Sequence, residues 1–157
     1  SADQPFGLAS ELFASSVDPA HPSFELAAAQ IRSFSAHMRE QGVRVRMVTI
    51  PYFPPGFYAA NAGNAWTAEW DQYDLLLPER ILQTAASASE VDFLGMGQYL
   101  LATGMNADQV QALYFNNGSG HLTESGHALF AQAMYECFYA STASAPNISG
   151  CQAGTPE

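Results

Sequence analysis

The stretch VRVRMVTI, residues 43–50, opens with Val43 and Val45 alternating with Arg44 and Arg46 and then turns almost wholly apolar. β-Branched residues in that order predict a strand that is partly exposed at its start and buried on both faces at its carboxyl end. Pro51 has no N–H to give to a ladder, so pairing stops there. Upstream, Phe24, Ala27, Ala28, Ile31, Phe34 and Met38 recur at three- and four-residue steps, which predicts an amphipathic helix over 23–41 with Gly42 as its stop.

Downstream, residues 51–66 hold aromatics, prolines and glycines without periodicity and read as a long loop, a kind that is usually functional or mobile. A second helical region is expected over 67–89, broken before Pro78. VDFLGM, residues 91–96, reads as a second buried strand. Strand, crossover helix and strand make a βαβ unit, which implies parallel pairing and a right-handed connection. Two short helices follow, near 97–103 and, capped by Asn106, near 107–114. The last helix starts after Thr123 as N-cap and carries Leu129, Phe130, Ala133, Met134, Cys137 and Phe138 on its apolar side. Residues 1–22, with Pro5, Pro19 and Pro22, form an irregular lead-in, and 141–157 a tail.

Two strands are fewer than the roughly five of an ordinary parallel sheet. Another chain, a missing segment or the lead-in must therefore complete the sheet, since two strands so thoroughly apolar would leave sticky edges.

With 157 residues, 48% of them hydrophobic, the chain can build one globular core. Fifteen acidic residues against five arginines and no lysine give a formal charge of -10, which repels nucleic acid and anionic membranes. No segment is apolar enough for a membrane span. Cys137 and Cys151 bracket the start of the tail, and a disulfide between them is favoured over two free thiols. It would pin the tail to the last helix, worth about 3 kcal/mol. Asn117 and Asn147 head N-glycosylation tripeptides. These signals lean toward a secreted or periplasmic protein.

FNNGSGHLTESGHALFAQ, residues 115–132, sets a glycine-rich loop and two histidines before the last helix. An imidazole at His121, on the loop, can take a proton from a hydroxyl and return it to a leaving group. His127 lies in the first turns of the helix, where packing or capping is the simpler role. Their spacing does not suit a shared metal, and neither metal nor cofactor is expected. Asp71, Asp74 and Glu79 read as a solvated acidic face rather than a carboxylate pair. Tyr52, Phe53, Phe57, Tyr58 and Trp66 either line a substrate groove or close the core over the strand ends.

GHLTESGHALFAQAMYECFY, residues 120–139, resembles the last block of the SGNH (GDSL-like) hydrolase superfamily, in which an acid-histidine loop precedes a helix. The order of elements from 23 to 140 is similar to the second half of that fold. The resemblance implies a three-layer α/β/α domain of the SGNH/flavodoxin-like kind, with a parallel sheet only partly supplied by this chain. It implies a serine ester hydrolase or acyltransferase acting on a small ester or an acylated carbohydrate or lipid, with His121 as general base. The family's orienting acid falls at Ser119 or Gly118, neither of which is a carboxylate; Ser119 could orient the ring but not balance its charge. No Gly-Asp-Ser motif follows a strand here, so the nucleophile and the oxyanion donors are expected outside this chain, in a missing N-terminal half. The alternative is a catalytically inactive relative that serves as a binding module.

Overall fold

A computed structural model describes residues 18–51, 53, 56–115, 120–140 and 149–153. Helix α1, Pro22–Glu40, starts with proline at its first position, and the His21 ring accepts the Ser23 N–H as N-cap. It ends where Gly42, at φ 71°, lets the chain reverse and the Val43 N–H reach the Met38 carbonyl. Phe24 and Ser35 are its buried residues, with Ile31 half-buried. The expected stripe therefore rotates at one position: Phe34 is 57% exposed. Ser35 takes the inward place because its hydroxyl donates to the Arg32 carbonyl and brings no unsatisfied group into the core.

Strand β1, Arg46–Thr49, pairs in parallel with β4, Asp92–Gly95, in the register Arg46↔Asp92 to Thr49↔Gly95. Alternate side chains leave the sheet on opposite faces. Met47 and Phe93 join Ile31 of α1 and Leu82 and Ala86 of α3, Leu77–Ser87. Val48 and Leu94 face Phe130, Ala133 and Cys137 of α6, Glu124–Phe138. Helices thus cover both faces of a small sheet, an α/β arrangement. Phe93 and Leu94 have no exposed surface, and burying each is worth roughly 2 kcal/mol.

The sheet is mixed, where an all-parallel one was expected. A third strand, β5, Cys151–Gln152, runs antiparallel beside β4, giving the order β1-β4-β5. The Cys137–Cys151 disulfide holds it there by tying the tail to the last turn of α6. The start of the expected 67–89 helical region is instead a hairpin. Glu69–Trp70 (β2) pairs with Tyr73–Asp74 (β3) across Asp71, which sits at φ 53°. Trp70 and Tyr73 stack at 5.6 Å, a cross-strand aromatic contact that outweighs helix propensity over so short a span. Helix α2 is the single turn Phe57–Ala60. Helix α4, Met96–Ala102, follows β4 without a loop, and α5, Ala107–Gln111, carries a full capping box between Asn106 and Gln109. No described helix is long and apolar enough to cross a membrane.

Candidate functional site

Parallel pairing puts the carboxyl ends of β1 and β4 side by side, at Thr49 and Gly95. In open α/β sheets this is the edge where ligands bind. Because β4 runs straight into α4, the first N–H groups of that helix point back at the strand ends and need acceptors. Met96 N–H donates to Thr49 Oγ1 at 3.2 Å, and Thr49 Oγ1 donates in turn to Glu79 Oε2 at 2.7 Å. The N–H groups of Gly97 and Gln98 reach Glu79 Oε2 and Oε1 at 2.8 and 2.9 Å. Glu79, in the first turn of α3, is only 5% exposed. Its two oxygens accept three hydrogen bonds, so it joins α3, β1 and α4 rather than offering a free acid to a substrate.

Glycine makes this approach possible. A Cβ on Gly95 would stand 2.3 Å from Glu79 Oε1, and one on Gly97 would stand 2.7 Å from Leu76 Cδ2. Asp71, Asp74 and Glu79 do not behave as one acidic face: Asp71 is an exposed turn residue, Asp74 pairs with Arg80, and Glu79 is buried. The contrast is a correction to the solvated reading of Glu79. The GMG run at 95–97, whose glycines leave room for a carboxylate against the strand end, is its one trace in the sequence, and that run does not point to Glu79 itself.

A second buried carboxylate marks the other end of the strands. Asp92, 5% exposed, takes a two-pronged contact from Arg44 at 2.7 and 3.1 Å, and Arg46 lies 3.6 Å away. The Arg-x-Arg alternation at 44–46, which leads into β1, therefore meets the first residue of the parallel neighbour.

His121 lies on a hairpin laced to residues 112–115. Phe115 N–H donates to the His121 carbonyl at 2.8 Å, Tyr114 bridges Leu122, and Thr123 N–H donates to the Leu113 carbonyl at 2.9 Å. Thr123 then caps α6 by accepting the Gly126 N–H at 3.2 Å. Gly126 is required there, since a Cβ would fall 2.2 Å from the Leu113 carbonyl oxygen. The Tyr114 hydroxyl donates to the Pro51 carbonyl at 3.3 Å, tying the hairpin to the exit of β1. Burial, and after it the Glu79 carboxylate, raises the Tyr114 phenol well above its ordinary range. Burial, and after it Tyr114, does the same to Tyr58. Tyr58 and Tyr114 both lie against Phe53, with ring centres 5.4 and 6.3 Å from it.

The His121 side chain is exposed. The His127 ring folds back on its own helix, Nδ1 donating to the Thr123 carbonyl at 2.9 Å. Ser119 and Tyr52 lie outside the described residues. Phe53, Phe57 and Trp66 are buried, with Phe57 stacked on Phe53 at 4.9 Å and Trp66 edge-on to it at 5.6 Å; Tyr58, half-buried, tilts against Phe53 at 5.4 Å. The Trp66 indole N–H has no acceptor among the described residues. Among those residues no group of three or more His, Cys, Asp or Glu is gathered to hold a metal ion.

No family model, no curated protein and no solved structure matches this chain.

Proposed function

We propose that this chain is the C-terminal part of an SGNH-type domain, a three-layer α/β/α sandwich, and that its activity is hydrolysis or transfer of an acyl group from a small ester or an acylated carbohydrate or lipid. The reading is supported by one observation above all. The hairpin that carries exposed His121 is fastened through Tyr114 to the Pro51 carbonyl, at the carboxyl end of a parallel strand. His121 is the general base. It takes the proton of an attacking serine hydroxyl as the tetrahedral adduct forms and returns it to the leaving alkoxide. Ser119 orients the ring, and the serine and oxyanion donors come from sequence N-terminal to Ser1. Tyr58, half-buried, is the aromatic beside which the acyl group lies, while Phe53, Phe57 and Trp66 are buried and back it from the core. The Cys137–Cys151 bridge supports a secreted or periplasmic setting.

The second reading is an inactive binding module. It is favoured by the absence of a carboxylate at 118 and 119, since a triad without its acid loses several orders of magnitude in rate. Turnover of p-nitrophenyl acetate by the chain, and by the chain extended at its N-terminus, separates the two. The enzyme reading expects activity in the extended protein that His121→Ala abolishes and His127→Ala leaves in place. Absence of turnover in both proteins selects the binding module.

A further inference from the structure

Strand β5 is too short to hold itself in the sheet. It meets β4 at two register positions, Phe93↔Gln152 and Leu94↔Cys151, and one residue earlier the Gly150 carbonyl accepts the Gly95 N–H at 2.9 Å. The net gain from so few hydrogen bonds does not exceed the entropy lost in ordering the residues that make them. Burial adds little: Gly150, Cys151 and Gln152 are half-buried, Ser149 and Ala153 are exposed, and of these only Cys151 packs against a hydrophobic cluster. The bond to Cys137 therefore decides whether the segment stays on the sheet.

What the segment covers is the carboxyl end of β4, beside Thr49 and the first turn of α4. The approach is close. Gly150 sits at φ 80°, and a Cβ on it would stand 2.5 Å from the Gly95 carbonyl oxygen and 3.0 Å from Gln98 Cβ. The remaining elements are joined without it. On its other side β4 pairs with β1, Glu79 links α3, β1 and α4, and the cluster of Phe93, Ala86 and Val91 contains no described residue of the tail.

The two sulfurs differ in access. Cys137 is 8% exposed, within the core, whereas Cys151 is half-buried at the sheet edge. Thiol–disulfide exchange therefore begins on Cys151. A thiolate of the reductant bonds to Cys151 Sγ, the bond between the two cysteines breaks, and Cys137 leaves with the electron pair and takes up a proton. The second thiol of the same reductant then attacks its partner sulfur in the mixed disulfide. Cys151 is released as a thiol and the reductant closes to a disulfide, so two electrons and two protons pass to the protein. The Phe93 carbonyl oxygen lies 3.8 Å from Cys137 Sγ, an acceptor already in place for the thiol left there. We propose that Cys137–Cys151 is a reducible latch: a dithiol reductant opens it, β5 leaves β4, and the carboxyl end of β4 at Gly95 is uncovered while the rest of the fold stays closed. The inference stands on the strand pairing and the access to the two sulfurs, and holds whether or not His121 acts as a base.

The test compares amide hydrogen exchange, read by NMR, in the full chain before and after dithiothreitol, with two free thiols confirmed by titration. On reduction the Gly95 amide should exchange at least tenfold faster. Asp92, whose N–H donates to the Val45 carbonyl, and Gly97 and Gln98, held by Glu79, should keep their rates. Reoxidation by glutathione disulfide should restore the Gly95 rate. A brief exposure to glutathione, stopped with iodoacetamide, should leave the glutathione adduct on Cys151 and the alkyl group on Cys137 by mass spectrometry. Unchanged Gly95 exchange in the reduced protein overturns the proposal, as does an adduct on Cys137. Loss of protection at Asp92, Gly97 and Gln98 together with Gly95 also overturns it, since the bridge would then staple the whole fold rather than one strand.

Discussion

Replacing Glu79 by glutamine keeps its size and removes half of its accepting capacity. The carboxylate receives Thr49 Oγ1–H, Gly97 N–H and Gln98 N–H on its two oxygens. An amide offers one oxygen and turns an NH2 toward whatever faced the other. If the amide oxygen keeps the Oε2 place, two charge-assisted bonds become neutral ones, at about 1 kcal/mol each, and the Gln98 N–H is orphaned, at about 1–3 kcal/mol. The reverse flip orphans two donors. Against this stands relief of the desolvation that any buried carboxylate suffers, which makes a hydrophobic replacement of a complete ion pair nearly neutral in other settings. That relief does not help here, because the three donors stay behind and are still buried. The expected loss for Glu79→Gln is therefore about 3 kcal/mol, read as a shift in urea midpoint at unchanged m-value with the disulfide intact. Thr49→Val, which removes one donor and also the acceptor of Met96 N–H, should cost about 1–2 kcal/mol. The two should couple in a double-mutant cycle. A Glu79→Gln protein within about 0.5 kcal/mol of wild type would refute the view that this carboxylate joins α3, β1 and α4.

Other outcomes follow from the same structure. Asp92→Asn should cost about 1–2 kcal/mol by chemical denaturation, less than a fully buried pair, since Arg44 and Arg46 keep 44 and 30% of their side chains in water. Gly126→Ala drives a Cβ against the backbone oxygen of Leu113 and should lower stability by about 2 kcal/mol or more, visible as a drop in melting temperature. The phenols of Tyr58 and Tyr114 are raised above their ordinary value of 10.0 on folding. The unfolded chain then releases those protons first, so their contribution is fully present below pH 10 and is lost as pH rises toward the folded values. Each should steepen the alkaline fall in stability by about 1.4 kcal/mol per pH unit above 10, and Tyr58→Phe or Tyr114→Phe should each remove its share in denaturation measured from pH 9 to 12.

The parts of the fold that could be read from the sequence rest on local chemistry. The strand beginning at Arg46 and its parallel neighbour showed in their β-branched and apolar runs. The caps at Asn106 and Thr123 followed from residue type and position, and the Cys137–Cys151 bridge from the composition around it. What escaped depends on contacts distant in sequence. The Trp70–Tyr73 stack makes a hairpin in a stretch that reads as helix. Strand β5 has two residues, too few for any period to show, and exists because the disulfide holds it against β4. Ser35 displaces Phe34 from the buried line because a satisfied hydroxyl packs there. Of the candidate site, the sequence places His121 on a loop just before the Thr123 N-cap, and there it lies, exposed. Glu79 was not legible, because its partners come from two other elements and its neighbours Asp74 and Arg80 are those of a solvated helix start.

The proposed ester chemistry is tested most directly by a fluorophosphonate probe on the N-terminally extended protein, with the labelled residue mapped by mass spectrometry. The account predicts one modified serine, N-terminal to Ser1, whose labelling collapses in His121→Ala. A label on a serine within residues 1–157, or labelling at the wild-type rate in His121→Ala, would contradict it.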